Sequence, residues 1–424
     1  VKLMVNPDLS IRPFHGDSPV PLTVCEVPDN SGRPRRYLVP RQLSDLLPVC
    51  DGGLDREEAV TRMSEKAEGR YTAQQLEQLI DEFLIPRHLL MDPNADSKPI
   101  IAAPRLDRYL FFKVRFLKQA AVYPLANRLR WLFEPAAWKC LIPLIVLSHV
   151  WFYLALGPHR ITQVNELSNS SIPLVLLLFS FGGMLHEFGH AAALTRFGGK
   201  TAEIGFGIYI CFAALFVDLS EAWRLTGKQR VVIDLSGIYF QGILLIFMAA
   251  GYAWSGWPVL ACCFIFIDLE IAANLNPLLR LDGYWALADG LGIPNLRTRS
   301  VRYFLLPRIR RGRPTPILNV SPRMLRLMHA YLVMTMIFSV FIAYAIGAQF
   351  TAVIQDYPRL LHSALESWQA ASPWRAVSLT FAAIWRGMLL LGLATAIFRA
   401  VLWVSQNIRP NSSSVLNTKE LPVQ

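Results

Sequence analysis

From residue 136 onward the chain breaks into apolar runs of about twenty residues, the length that spans a bilayer as a helix. No other feature restricts its fold as strongly. Inside a bilayer every backbone N–H and C=O must be satisfied by the protein itself, so runs of this kind cross as helices. Six spanning segments are expected, at about 137–157, 172–197, 231–254, 258–276, 327–348 and 376–398, the last interrupted by Arg386. Composition agrees. Of 424 residues 53% are hydrophobic and 17% charged, against about a quarter charged in soluble domains. The expected fold class is an α-helical polytopic membrane protein with about six transmembrane helices, preceded by a small N-terminal α+β domain.

The net charge of +11 does not point to nucleic acid, because the basic residues gather in particular loops. Arg297, Arg299, Arg302, Arg308, Arg310, Arg311, Arg313, Arg323 and Arg326 all fall within 294–326. The 158–171 loop holds one arginine, and the turn Ser255-Gly256-Trp257 has no charge. The positive-inside rule then places 294–326 and both termini in the cytosol, with the chain in a bacterial inner membrane. No charged-then-apolar signal opens the sequence, which also keeps the N-terminal domain cytosolic. Basic motifs interleaved with aromatics and zinc-finger spacings are absent, so no nucleic-acid partner is expected. Cys25, Cys50, Cys140, Cys211, Cys262 and Cys263 form no CxxC pair and read as small apolar residues or free thiols.

Residues 1–92 read as a separate module. Leu22–Val27 and Tyr37–Val39 alternate as two strands, joined through Asp29-Asn30-Ser31-Gly32. Helical patterns follow near Arg41–Val49, from Arg56 to Ala67, and after Thr72. There Gln75 completes a capping box, and Leu76, Leu79, Ile80 and Phe83 form one apolar stripe. Leu89-Leu90-Met91 returns as a strand. This order is winged-helix-like. Residues 93–136 combine a linker, 93–104, with a basic amphipathic stretch. Arg105, Arg108, Lys113, Arg115, Lys118, Arg128 and Arg130 suit it to the anionic inner membrane surface. The transmembrane domain is expected over 137–404 and a tail over 405–424. Residues 204–217 are apolar but too short to span, and read as a re-entrant or hairpin element.

The second span contains His186-Glu187-Phe188-Gly189-His190. Positions i and i+4 share a helix face, so both imidazoles can reach one Zn²⁺ with Glu187 beside it as general base. Ionisable residues in a spanning helix are costly and usually functional. Two histidines leave zinc short of a protein ligand. Near the end of the fourth span, Asn276-Pro277-Leu278-Leu279-Arg280-Leu281-Asp282-Gly283 supplies a carboxylate beside a proline break. Asp282 is the candidate third ligand, against a helix-terminal or solvated role. Asp234, Asp268 and Glu270 also fall in apolar segments. The last two are expected to pair with Arg386 or Arg399, or to line a water path. His159 and His329 read as interfacial.

HEFGH on one span followed by NPLLRLDGYW on a later one resembles the site-2 protease family of intramembrane zinc metalloproteases. The resemblance implies zinc ligation by His186, His190 and Asp282, and a catalytic base at Glu187. It also implies a place for Asn276 beside the substrate backbone, where a plain helix-end hydrogen bond is the alternative. Ser236-Gly237 stands where the family has a small-residue motif, without the proline that usually follows. The N-terminal strand pair, the Cys50-Asp51-Gly52-Gly53 turn and the closing Phe83-Leu84 helix resemble the RiPP recognition element, a domain that binds leader peptides. Fusions of this kind are called peptide zinc metalloproteases. The expected function is a membrane-embedded zinc endopeptidase that cleaves a peptide or precursor peptide at the cytosolic membrane face, in ribosomal peptide maturation. Regulated intramembrane cleavage of a transmembrane substrate such as an anti-sigma factor is the alternative within proteolysis. A non-catalytic peptide-binding or export component is the alternative outside it.

Overall fold

The structure is a computed structural model. It describes residues 2–14, 21–28, 34–68, 71–91, 110–165, 171–200, 203–209, 212–305 and 321–370, and beyond these chiefly 375–384.

The N-terminal part holds strands β1 (Lys2–Val5), β2 (Ser10–Pro13), β3 (Leu22–Pro28) and β4 (Pro34–Pro40), and then the one-turn helix α1 (Arg41–Ser44). It continues with β5 (Leu54–Asp55), α2 (Arg56–Lys66), α3 (Ala73–Leu79) and β6 (Leu90–Met91). The Thr72–Gln75 capping box forms as expected at the start of α3. The strand pair is present, but β3 is the centre of an antiparallel sheet β2-β3-β4, and β1 pairs with both β5 and β6. The helix expected over Arg41–Val49 is α1 followed by a separate 3₁₀ turn at Leu47–Cys50, with Pro48 at its start.

The β2-β3-β4 sheet is covered on both faces. Cys25, Val27, Tyr37 and Val39 pack with Leu47, Met63, Leu76 and Phe83 in the main core of this domain. Burial lifts the Cys25 thiol to about 12 and the Cys50 thiol to about 11, so both stay protonated and unreactive. On the opposite face Phe14, Leu22, Val24 and Leu38 pack against Trp223, which belongs to the membrane part. Glu26 lies on that face too. Arg224 Nε donates to its Oε1 at 2.8 Å and Arg224 Nη2 to its Oε2 at 2.5 Å. Removing Arg224 strips a nearly buried carboxylate of a bidentate partner, a change worth about 3 kcal/mol or more at buried sites. The exposed pair Arg196–Glu134 contributes about 1 kcal/mol at most.

The membrane part opens with β7 (Leu110–Leu117), α4 (Gln119–Leu129), α5 (Pro135–Asn165) and α6 (Ile172–Arg196). Next come the hairpin β8 (Ile204–Tyr209) and β9 (Phe212–Val217), then α7 (Gly227–Ser255) and α8 (Pro258–Leu275). The short helices α9 (Asp282–Gly290) and α10 (Leu296–Ser300) and the long α11 (Pro322–Gln369) complete it. Five helices are long and apolar enough to cross a membrane: Pro135–Ala155, Ile172–Arg196, Gly227–Ser255, Pro258–Leu275 and Pro322–Ala345. The sixth expected span is represented among the described residues by a shorter apolar helix, Arg375–Ile384. Helix α7 starts four residues before the expected 231, because Thr226 and Gln229 form a second capping box.

Two stretches differ from a plain connector. Residues 110–117, expected as part of a basic surface stretch, form β7, which pairs antiparallel with β8 in a sheet ordered β7-β8-β9. Arg115 is used inside this sheet, 3.2 Å from Glu203. The expected hairpin at 204–217 is the β8–β9 pair. The 93–104 linker and Arg105 and Arg108 lie outside the described residues, as does Cys211.

Candidate metal centre

Helix α6 brings His186 and His190 onto one buried face, one turn apart. Their Nε2 atoms lie 3.0 Å from each other, and Asp282 Oδ2 lies 2.9 Å from the first and 3.6 Å from the second. In a tetrahedral zinc site with bonds near 2.0 Å, ligand atoms stand about 3.3 Å apart. The three separations bracket that value. The ring nitrogens away from this centre are occupied. His186 Nδ1 faces Gln241 Oε1 at 3.0 Å, and His190 Nδ1 faces the Ile233 carbonyl at 2.7 Å. A carbonyl oxygen only accepts, so each Nδ1 carries the proton and each Nε2 presents its lone pair inward. Asp282 Oδ2 is buried and has no hydrogen-bond partner, although two ring nitrogens crowd it. Two lone pairs and a carboxylate converging in this way need a cation between them. The donor set therefore fits Zn²⁺, and among the described residues these three form a group that could hold a metal ion.

Helices α7, α8 and α9 set these positions. Gly237 on α7 lies flat against the His186 ring: a Cβ there would stand 2.5 Å from Nε2. Gln241, one turn further along α7, fixes that ring and also donates from Nε2 to Glu270 Oε2 at 3.0 Å. The Ser236 hydroxyl donates to the Ile233 carbonyl at 2.5 Å and sits 3.3 Å from His190 Nδ1. Helix α8 ends at Leu275, just before Pro277. Helix α9 then begins at Asp282, with Gly283 pressed on the last carbonyls of α8; a Cβ at Gly283 would meet the Leu275 carbonyl oxygen at 2.3 Å. Only glycine permits that approach, and the approach delivers Asp282 to the histidines.

Glu187 is buried beside the pair, on the helix against which β9 packs. Asn276 Oδ1 accepts from the Leu278 backbone N–H at 2.9 Å, the helix-end bond given above as its alternative role. Asp268 and Glu270 do not pair with Arg386 among the described residues, and Arg399 lies outside them. Asp268 instead contacts the Tyr153 hydroxyl and lies 3.3 Å from His149 Nε2, while Glu270 holds Gln241. Helix α8 packs against α5 and α7, and those helices supply the partners of Asp268 and Glu270. The His329 ring packs 4.9 Å from Phe304, and the side chain of His159 lies outside the described residues. Sequence reading missed Gln241. Its signal was available: a polar residue four positions after Gly237, on one face of an apolar helix.

No protein-family model matches the chain, and no solved structure matches it. The chain is similar to YydH of Bacillus subtilis (strain 168), whose name proposes it as a peptide zinc metalloprotease protein. The two are 24% identical over 136 residues, which is 31% of this chain and 54% of YydH. The chain thus spans about half the length of the curated relative it matches. At a coarse level the similarity and the three-ligand group agree on a zinc metalloprotease.

Proposed function

We propose that the chain is a membrane-embedded zinc endopeptidase that cleaves a peptide or precursor peptide near the cytosolic membrane face, in ribosomal peptide maturation. The observation that carries this reading is the convergence of His186 Nε2, His190 Nε2 and Asp282 Oδ2 with Glu187 alongside. His186, His190 and Asp282 hold the metal; Glu187 takes the proton from the attacking water and passes it to the leaving amine. Zinc, when bound, supplies a water acidified to near neutral pH and polarises the scissile carbonyl. Asn276, whose Oδ1 accepts from the Leu278 N–H, offers its amide N–H to a substrate carbonyl. Strand β9 is at the edge of its sheet among the described residues, so an extended substrate can add there and run past Glu187.

The N-terminal domain serves as the peptide-recognition part. The outer side of β4 is likewise unpaired among the described residues, and a leader segment can add to it as a strand. Packing of the same sheet on Trp223 and Arg224 keeps a captured peptide close to the metal centre, which raises its effective concentration there. Co-expression with any short precursor peptide found encoded next to this chain, followed by mass spectrometry, tests the reading. Cleavage at one bond, abolished by a chelator, is expected. An intact peptide together with a cut single-span membrane protein would instead favour regulated intramembrane proteolysis.

The orientation has its own test. With 294–326 and both termini cytosolic, the metal ligands on α6 stand near its cytosolic end. His190 precedes the last residue of α6, Arg196, by about 9 Å of helix rise. In a cysteine-free background, a membrane-impermeant thiol reagent added outside should label a cysteine at Ser168 and spare one at Thr315. The reverse pattern inverts the topology.

A further inference from the structure

We infer that Arg230 is a positioning residue for the metal centre, and that Phe14 of the N-terminal domain holds it in place. The inference rests on the metal-centre reading above and extends it to a part of the molecule that touches no ligand atom. Arg230 sits in the first turn of α7 with its side chain 3% exposed. Its Nη1 donates to the Leu225 carbonyl at 2.7 Å, and its Nε lies 2.9 Å from Asp289 Oδ2. The Phe14 ring lies over the guanidinium at 4.5 Å, and the Trp223 ring stands 5.8 Å away. Phe14 and Trp223 also pack on each other, with ring centroids 5.9 Å apart. A guanidinium buried under one aromatic face, with one carboxylate at its edge, has its position fixed from two sides.

Asp289 connects this clamp to the ligand. It lies on α9, seven residues after Asp282, so the two carboxylates share one face of that helix about 10 Å apart along its axis. Helix α9 has nine residues, its middle packed through Tyr284 and Ala288 on Leu296, Met328 and Tyr331, and a further contact bears on each end. At its start, Gly283 lies on the end of α8. Near its end, Asp289 meets Arg230. A helix this short that loses the contact at its far end can shift on that packing, and a ligand oxygen must keep its place within a few tenths of an ångström. Asp234, one turn after Arg230 on α7, keeps a buried Oδ2 without a hydrogen-bond partner. The N-terminal domain is in this arrangement a part of the wall of the site as well as a tether for substrate.

The test uses the full chain in lipid nanodiscs, loaded with Co²⁺ for spectroscopy and with Zn²⁺ for transfer to a chromophoric chelator. Arg230→Lys keeps the charge and loses the planar fork, Asp289→Asn removes the anchor on α9, and Phe14→Ala removes the cover without changing any charge. Each should alter the visible cobalt bands, which report ligand geometry. Zinc loss should speed up by about tenfold for the first two, in the range seen for residues that orient metal ligands, and severalfold for Phe14→Ala. A lowered melting temperature with unchanged cobalt bands and unchanged zinc loss would mean a purely structural role, and would overturn the inference. Should Arg230→Lys fail to accumulate, Asp289→Asn and Phe14→Ala decide by the same two readouts. If the wild-type protein takes up no cobalt, the metal-centre reading itself has failed; if it does and the variants match it, only the role of Arg230 has.

Discussion

Glu187→Gln leaves zinc bound and lowers peptide cleavage by about 10²–10⁴-fold, the loss expected when a general base is removed. Glu187 is not among the converging ligand atoms, so the metal has no direct need of its charge. Glutamine has nearly the same shape and fills the same buried position. What disappears is an oxygen able to take a proton from water and deliver it to the leaving amine. The comparison needs the cleavage rate and the zinc content of the same preparation. Full zinc with the rate reduced identifies the base. An unchanged rate would remove Glu187 from the chemistry, and lost zinc would make it a ligand. A non-catalytic binding or export component would show no cleavage in the wild type either.

The parts of the site that could be read from sequence are those whose geometry is local. His186, Glu187 and His190 lie within five residues of one helix, so helical periodicity alone places them on adjacent turns. Asp282 was legible through its setting, a proline break followed by glycine in an apolar run. In the structure Gly283 is a contact surface for the end of α8. Gln241, Glu270 and the Arg230–Asp289 pair were not legible in the same way. Each makes its contact across two helices, and no short window of sequence contains both partners. The same limit explains β7. Its basic residues suggested a membrane surface, but its partner β8 lies far along the chain, beyond α4, α5 and α6. In the N-terminal domain the alternation in β3 pointed to one buried face. The other face, with Val24 and Glu26, is buried by Trp223 and Arg224, which come from the membrane part.

Gly237→Ala should empty the metal site. The added methyl carbon would stand 2.5 Å from His186 Nε2 and 2.6 Å from both Cδ2 and Cε1, so it meets the imidazole broadside. Contacts that short do not occur, and either the ring turns or α7 moves away. Turning swings Nε2 out of the ligand group. Movement of α7 carries Gln241 with it and breaks the 3.0 Å contact that fixes His186 Nδ1. Both routes predict at least a tenfold loss of zinc affinity, the lower range for disturbed ligand orientation, and a matching loss of cleavage. Helix stability works in the opposite direction, since alanine in a helix interior is favoured over glycine by about 0.5–1 kcal/mol. Reduced helical content therefore cannot be the cause. Gly251→Ala provides the control on the same helix. There the nearest atom to the new Cβ is Leu260 Cδ1 at 3.0 Å, the end of a side chain that can rotate away. Elemental analysis and circular dichroism on the two variants separate the effects: zinc lost only in Gly237→Ala, with helicity preserved in both. Full zinc occupancy in Gly237→Ala would mean that His186 does not rest against α7 when the metal is bound, and the ligand geometry described for this site would be wrong.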